Sequence, residues 1–335
     1  MNGDNVNTSA DLAIRYEGQI RQQLLTTFGP RLLHSLWAVR DGLGMNMGDQ
    51  LTFSRSRRLA LATTALTEGE NPDGVGIGSD DVTVQMSELG QFFAVSSKVI
   101  KRRPWKITNS HIPLLAVNWA ETIDKLVQLT LAGGTNRFYS DGVATPGEID
   151  TKALQADFDA IDAALANAFA MPLTQFQGPT DGIGTEAIQE CYVVIGDAYF
   201  RRDVEAFAGF KGIETYAAGT TTIPGEYGKY RRFRFCMSQL ADEGTVNGSN
   251  PAGAGLRTRN AGANTEVRKV IVLAAEAYAM VDFGAVESIA KIGYSGEGKA
   301  SDALNRASTF GWTHDWGCSI LDDSLMAVYY CGASA

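Results

Sequence analysis

Between Gln50 and Lys98 apolar and polar residues alternate in the pattern around which the rest of the chain is organised. Leu51, Phe53 and Leu59 alternate with Thr52, Ser54, Ser56 and Arg58. Val82, Val84 and Met86 alternate in the same way with Thr83, Gln85 and Ser87. A period of two with one wet face is the signature of a β-strand. Between the runs lies Leu66-Thr67-Glu68-Gly69-Glu70-Asn71-Pro72-Asp73-Gly74, followed by Gly76 and Gly78, which is dense turn chemistry. The pattern predicts one long β-hairpin over 50–99 with a large tip. A two-stranded ribbon is marginal in water until something packs on it. The partner expected here is another subunit.

The remaining periodicities predict an α+β protein. Residues 1–10 are polar, and Leu12, Tyr16, Ile20 and Leu24 then recur every fourth position, a helix over 11–28 that ends near Gly29-Pro30. Its narrow stripe suits an arm lying across a surface better than a buried helix. After the basic run Lys101–Lys106, Leu115, Trp119, Ile123, Leu126, Val127 and Thr130 share one face of a helix over 112–132, closed by Gly133-Gly134. Thr145-Pro146-Gly147-Glu148 reads as a capped helix start, with Leu154, Phe158, Ile161, Leu165 and Phe169 as the stripe that follows. From Ala187 the signal turns to strands: Cys191–Ile195, the run around Phe233 and Phe235, the β-branched stretch 267–283 and a terminal strand 325–330. Residues 241–265, rich in Gly, Asn, Ala and Thr, read as a long surface loop.

Composition narrows the function classes. A chain of 335 residues exceeds a single core, so two or more sub-domains are expected. The formal charge of −9 argues against a dedicated nucleic-acid binder. No stretch reaches the roughly 18 apolar residues of a membrane span, and the polar start is not expected to be a signal peptide. Cys191, Cys236, Cys318 and Cys331 lie far apart without a CxxC pair, which points to buried thiols in a reducing compartment.

Candidate chemistry is thin. His34, His111 and His314 are never four residues apart, which excludes helical HExxH ligation. His314-Asp315 has no GxSxG elbow beside it and reads as a histidine held between Trp312 and Trp316. Gly74–Ser79 is followed by Asp80-Asp81 and a strand, whereas a phosphate loop needs a helix N-terminus there. Asp80-Asp81 and Asp322-Asp323 lack the ligand spacing of a calcium loop. Catalytic, metal and cofactor residues are therefore expected to be none. The basic clusters at Arg55, Arg57 and Arg58, at Lys101–Lys106 and at 229–234 are expected to pair with acidic surfaces of neighbouring subunits. In the last cluster the arginines are expected on one strand face and the aromatics on the other.

In this order along the chain, the residues resemble a family. The tip Ala65–Gly69 with Asn71–Gly74 looks like an extended loop, and the 112–132 helix running into Ala132–Asn136 looks like a spine helix. Gly225-Glu226-Tyr227-Gly228 followed by 231–235, and Phe310–Gly317 followed by 325–330, complete the series. The chain resembles the major capsid proteins of tailed bacteriophages, with the Hong Kong 97-type fold. Within these it is most similar to the coat proteins of N4-like podophages.

The resemblance implies an N-terminal arm (1–49), an extended loop (50–99), a peripheral domain with the spine helix (100–147 and 289–335) and an axial domain (148–288). It implies a structural protein of the virion, assembled in the host bacterial cytoplasm from hexamers and pentamers of itself. The implied companions are packaged double-stranded DNA without tight or sequence-specific binding, a portal, and scaffolding or decoration proteins, with no membrane and no cofactor. Intersubunit contacts are expected at Tyr16, Ile20, Arg55, Arg57, Arg58, Glu68, Glu70 and Asp73. The alternatives are a cellular compartment shell and an enzyme whose site the sequence hides.

Overall fold

The alternating runs become two β-sheets and a separate two-stranded ribbon, described from a computed structural model of the chain. The structure describes residues 6–7, 32–44, 48–63, 65, 69, 74–96, 98–99, 107–175, 189–216, 222–241, 244, 246–249, 251–253, 255–259, 263–283, 291–294 and 307–335. The expected helix over 11–28 with Tyr16 and Ile20, the Lys101–Lys106 run, and Glu68, Glu70 and Asp73 of the tip lie outside the described residues.

The first sheet has six strands, in the order Val6–Asn7, Ser87–Ser96, Ala307–Ile320, Tyr278–Phe283 and Val39–Leu43, with Lys291–Tyr294 also paired to Ala307–Ile320. The second has nine. Its path runs Arg137–Tyr139, Met326–Gly332, Asn264–Leu273, Tyr192–Gly196, Phe233–Met237, Glu226–Tyr230 and Lys211–Gly212. Tyr192–Gly196 is buried along its whole length, as a near-continuous apolar strand covered on both faces should be.

Helix α1 (Ile107–Ala132) joins the two sheets. Leu115 sits in a small core with Val95, Phe310 and Trp312 of the first sheet and with Val99 just past its Ser87–Ser96 strand. A few turns on, Ile123, Val127 and Leu131 belong to the main core with the second sheet. Residues at i, i+4 and i+8 share a helix face, so one stripe serves both cores. Helix α2 (Gln155–Asn167) buries Phe158, Ile161 and Leu165 completely, about 1.5–3 kcal/mol for each side chain. The Phe158 ring lies 5.3 to 5.5 Å from those of Tyr329, Phe233 and Phe235, an aromatic hub beneath the second sheet. Helix α3 (Ala198–Glu205) starts at Asp197, whose side chain accepts from Phe200 N–H at 2.9 Å.

Several expectations change. The hairpin proper is Gln50–Ser56 against Ser79–Gln85, in register from Gln50↔Gln85 to Ser56↔Ser79. Ser87–Ser96 leaves the ribbon and pairs with Ala307–Ile320 in the first sheet. The chain crosses between sheets inside the β-branched stretch: Asn264–Leu273 is in the second sheet, Tyr278–Phe283 in the first. Met326–Gly332 then returns to the second. Periodicity reports that a strand is buried, not which sheet buries it.

The expected helix start at Thr145 is a single 3₁₀ turn, Pro146–Glu148. Glu148 accepts from Thr145 N–H at 3.2 Å, but the chain then extends and α2 begins at Gln155. The segment expected as a long surface loop over 241–265 contains, among its described residues, two short strands. Val246–Asn247 and Thr258–Arg259 pair with Asn264–Leu273, and Arg257 N–H donates to Ala333 C=O at 2.8 Å. Its glycines have a steric cause, since a Cβ on Gly253 would lie 2.2 Å from the Asp150 carbonyl oxygen.

Candidate intersubunit surfaces

The ribbon's two faces separate by chemistry. On the wet face Thr52 and Thr83 hydroxyls meet at 3.1 Å and Ser54 Oγ donates to Asp81 at 2.6 Å. On the apolar face Leu51, Phe53, Val84 and Met86 pack with Leu43 and Val281 of the first sheet. That cover ends at the root. Beyond the last pairing, Arg57 N–H to Gly78 C=O at 2.8 Å, Leu59 and Val75 are exposed, Leu61 is 86% exposed and Ile77 77%. These are large apolar side chains without cover in the single chain.

The arginines at the root do not wait for a neighbour. Arg55 Nη1 donates to Asp322 Oδ2 at 2.9 Å, and Arg57 is bonded across the ribbon to Asp80. The hydrogen bond to Asp80 holds the Arg57 guanidinium above its ordinary value, and Arg57 keeps Asp80 below the usual carboxylate range. Arg58 stands over the Phe169 ring, 3.9 Å from its centroid. Within this chain Arg55 and Arg57 thus already have carboxylate partners. Cross-strand register and the Asp322 turn bring these acids within reach, a closeness that linear spacing conceals.

The 229–234 cluster is corrected too. Phe233 and Phe235 are buried, but so is Arg234, which pairs with Glu226 at 3.0 Å. Arg231 pairs with Asp159 and Arg232 with Asp162 of α2. This strand has no arginine face turned to solvent.

Phe169 was read as the last residue of the α2 stripe, yet it is 70% exposed. The helix ends in a Schellman motif: Phe169 N–H donates to Ala166 C=O and Ala170 N–H to Leu165 C=O, both at 3.0 Å. That motif puts Phe169 in the left-handed region, φ +57°, where glycine is the usual occupant. With Met171, Pro172, Arg58 and Arg232 it lines a groove of about 590 Å³.

Ahead of the strand Val39–Leu43, His34 and Asp124 are both 0% exposed and bonded, Nδ1 to Oδ2, at 2.8 Å. Ser35 donates to Asp124 Oδ1 through N–H at 2.9 Å and through Oγ at 3.1 Å. Tyr278 O–H donates to the His34 carbonyl. Burial disfavours the Asp124 carboxylate, but the bonds from His34 and Ser35 outweigh it and hold Asp124 below the usual range.

The candidate chemical groups have structural partners. His314 is buried with its ring edge-on to Trp119, centroids 5.4 Å apart, and burial lowers its pKa. Asp322 caps a turn by accepting from Ser324 N–H at 2.9 Å, and Asp323 accepts from Thr135 Oγ1 at 2.8 Å. All four cysteines are free, and burial raises their thiols, Cys318 up to about 12. Among the described residues no group of three or more His, Cys, Asp or Glu could hold a metal ion, and no helix is long and apolar enough to cross a membrane.

No protein-family model and no curated protein matches the sequence. Solved structures do match the fold. The acid-stable capsid of Helicobacter pylori bacteriophage KHP30 aligns at TM-score 0.60 and 13% identity, over 99% of this chain and 99% of that one. The capsid of Ralstonia phage GP4 gives 0.59 and 13%, over 89% and 87%. The capsid of cyanophage P-SCSP1u gives 0.58 and 12%, over 96% and 95%. The chain has the phage capsid fold of the Hong Kong 97 type, mixed α+β as expected.

Proposed function

We propose that this chain is the major capsid protein of a tailed bacteriophage, which assembles with copies of itself into an icosahedral shell around a double-stranded DNA genome. The observation that carries the reading is the match to phage capsid structures over nearly the whole of both chains. The ribbon supports it, because its apolar cover ends at the root while Leu61 and Ile77 stand in solvent. A second copy would supply that cover.

In this reading α1 is the spine, the first sheet belongs to the peripheral domain and the second to the axial domain. The hairpin is the extended loop, and Glu68, Glu70, Asp73, Tyr16 and Ile20 contact neighbours. Within the tailed phages the reading groups this chain with the coat proteins of N4-like podophages. Hexamers and pentamers form in the host cytoplasm, around a portal and with scaffolding or decoration proteins. The role is structural rather than catalytic.

The packaged DNA is held loosely. The chain carries −9 overall, and Arg55, Arg57, Arg231, Arg232 and Arg234 each meet a carboxylate of the same chain. Cations matched in this way are less available to release counterions from phosphate. Sedimentation of the purified chain tests the assembly: it should run as a shell-sized species or as capsomers convertible into one. A small closed oligomer under all assembly conditions would point to an enzyme instead.

A further inference from the structure

Three cations stand in a row across the edge of the second sheet. Lys211 lies directly opposite Lys229 in the antiparallel pairing of Lys211–Gly212 with Glu226–Tyr230. Arg234 lies directly opposite Lys229 on its other side, in the pairing with Phe233–Met237. Residues directly opposite in an antiparallel ladder point to the same face with Cβ atoms about 4.5–5.5 Å apart, and like charges so placed repel. The short edge strand is held closely: a Cβ on Gly228 would lie 2.7 Å from the Lys211 carbonyl oxygen, and the Phe210 ring rests 6.1 Å from that of Tyr227.

Lys229 makes no ion pair among the described residues. The carboxylate of its own strand, Glu226, is taken up elsewhere. It meets Arg234 at 3.0 Å and accepts from Tyr216 O–H at 2.7 Å and Ile223 N–H at 2.9 Å. Lys229 is half-buried, whereas the other four residues of its strand are buried. Burial lowers its pKa, with Lys211 and Arg234 acting in the same direction and Cys191 and Glu226 against it. Burial also raises the Cys191 thiol, so near neutral pH that group is uncharged and supplies no counter-charge. A desolvated lysine beside other cations is the arrangement that leaves an amine uncharged and nucleophilic.

We propose that Lys229 is an acylation site, at which an acyl phosphate transfers its acyl group to the Nζ amine. The lone pair of the uncharged amine attacks the acyl carbon and the N–C bond forms. The C–O bond to phosphate breaks, phosphate leaves with the electron pair, and a proton passes from nitrogen to water. The charge of the row has the sign that draws the phosphate of the reagent. The product amide is neutral and removes the middle charge of the row.

The test exposes the unassembled full chain to acetyl phosphate near neutral pH and follows the occupancy of each lysine by peptide mass spectrometry. Lys98 and Lys152, both exposed, are the references. Lys229 should acetylate roughly tenfold faster than either, although it is less exposed. A rate no greater than theirs would overturn the site. In urea the excess should vanish, because the row exists only in the folded sheet. An excess that survives unfolding would trace to the local sequence and overturn the proposal too. Lys211→Met removes one flanking charge and should bring the Lys229 rate down toward the references while Lys98 and Lys152 keep theirs. An unchanged Lys229 rate in this variant would overturn the role of the row.

Discussion

Replacing Asp124 with Ala should cost more than any surface change in this protein. The carboxylate accepts from His34 Nδ1 at 2.8 Å, Ser35 N–H at 2.9 Å and Ser35 Oγ at 3.1 Å, and both His34 and Asp124 are 0% exposed. A carboxylate can only accept, so the Nδ1 proton and the Ser35 amide both lose their acceptor in the dry interior. Breaking a buried pair of this kind costs about 3–5 kcal/mol. A domain has only about 5–15 kcal/mol in total, so the loss should be plain in the urea midpoint of the unassembled chain. Asp124→Asn keeps the shape and one acceptor and should cost less, about 1–3 kcal/mol.

The pH dependence adds an independent check. Bonding holds the folded pKa of Asp124 below its unfolded value of about 3.9. The stability it contributes is therefore fully present above the unfolded value and lost as pH falls through the folded one. The gap between the native chain and Asp124→Asn should be constant near neutrality and shrink in acid. A loss under about 1 kcal/mol for Asp124→Ala, or a gap that widens in acid, would refute the reasoning.

Deleting Thr64 to Gly78 removes the tip but leaves the paired arms, so the chain should stay soluble and folded by circular dichroism while failing to complete shells. Replacing Tyr16 and Ile20 with Ser should lower the melting temperature of assembled particles much more than that of the free chain; equal losses would place the 11–28 helix on its own subunit. Double-stranded DNA should bind the unassembled chain no better than a generic acidic protein in filter titrations at about 50 and 200 mM salt, and tight binding with a steep salt slope would overturn the loose-packing account. Asp80→Asn should leave the melting temperature unchanged, because the Arg57–Asp80 pair is exposed.

What the sequence revealed was local. The alternation at Leu51, Phe53, Val82 and Val84 located the ribbon, and the stripe from Leu115 to Thr130 located α1, because burial on one face imposes a period. What it concealed was spatial. Arg55 lies 267 positions from Asp322 in sequence and within hydrogen-bond distance in space. His34 and Asp124 are 90 positions apart, and the two strands flanking residues 274–277 lie in different sheets. Phe169 continued the α2 periodicity, and only the Schellman hydrogen bonds turn it outward. A Phe two residues past the helix end, before Met171-Pro172, was the available signal, but periodicity counted it as core. The two-residue strands at Val246 and Thr258 are too short for any period to register.

The central claim is that this chain builds a closed shell with copies of itself. Electron microscopy of the purified, assembled chain tests it most directly. The account predicts icosahedral particles whose subunit density accommodates the two sheets, α1, and a ribbon reaching onto the neighbouring subunit. Small closed oligomers with the ribbon folded on its own chain would contradict it.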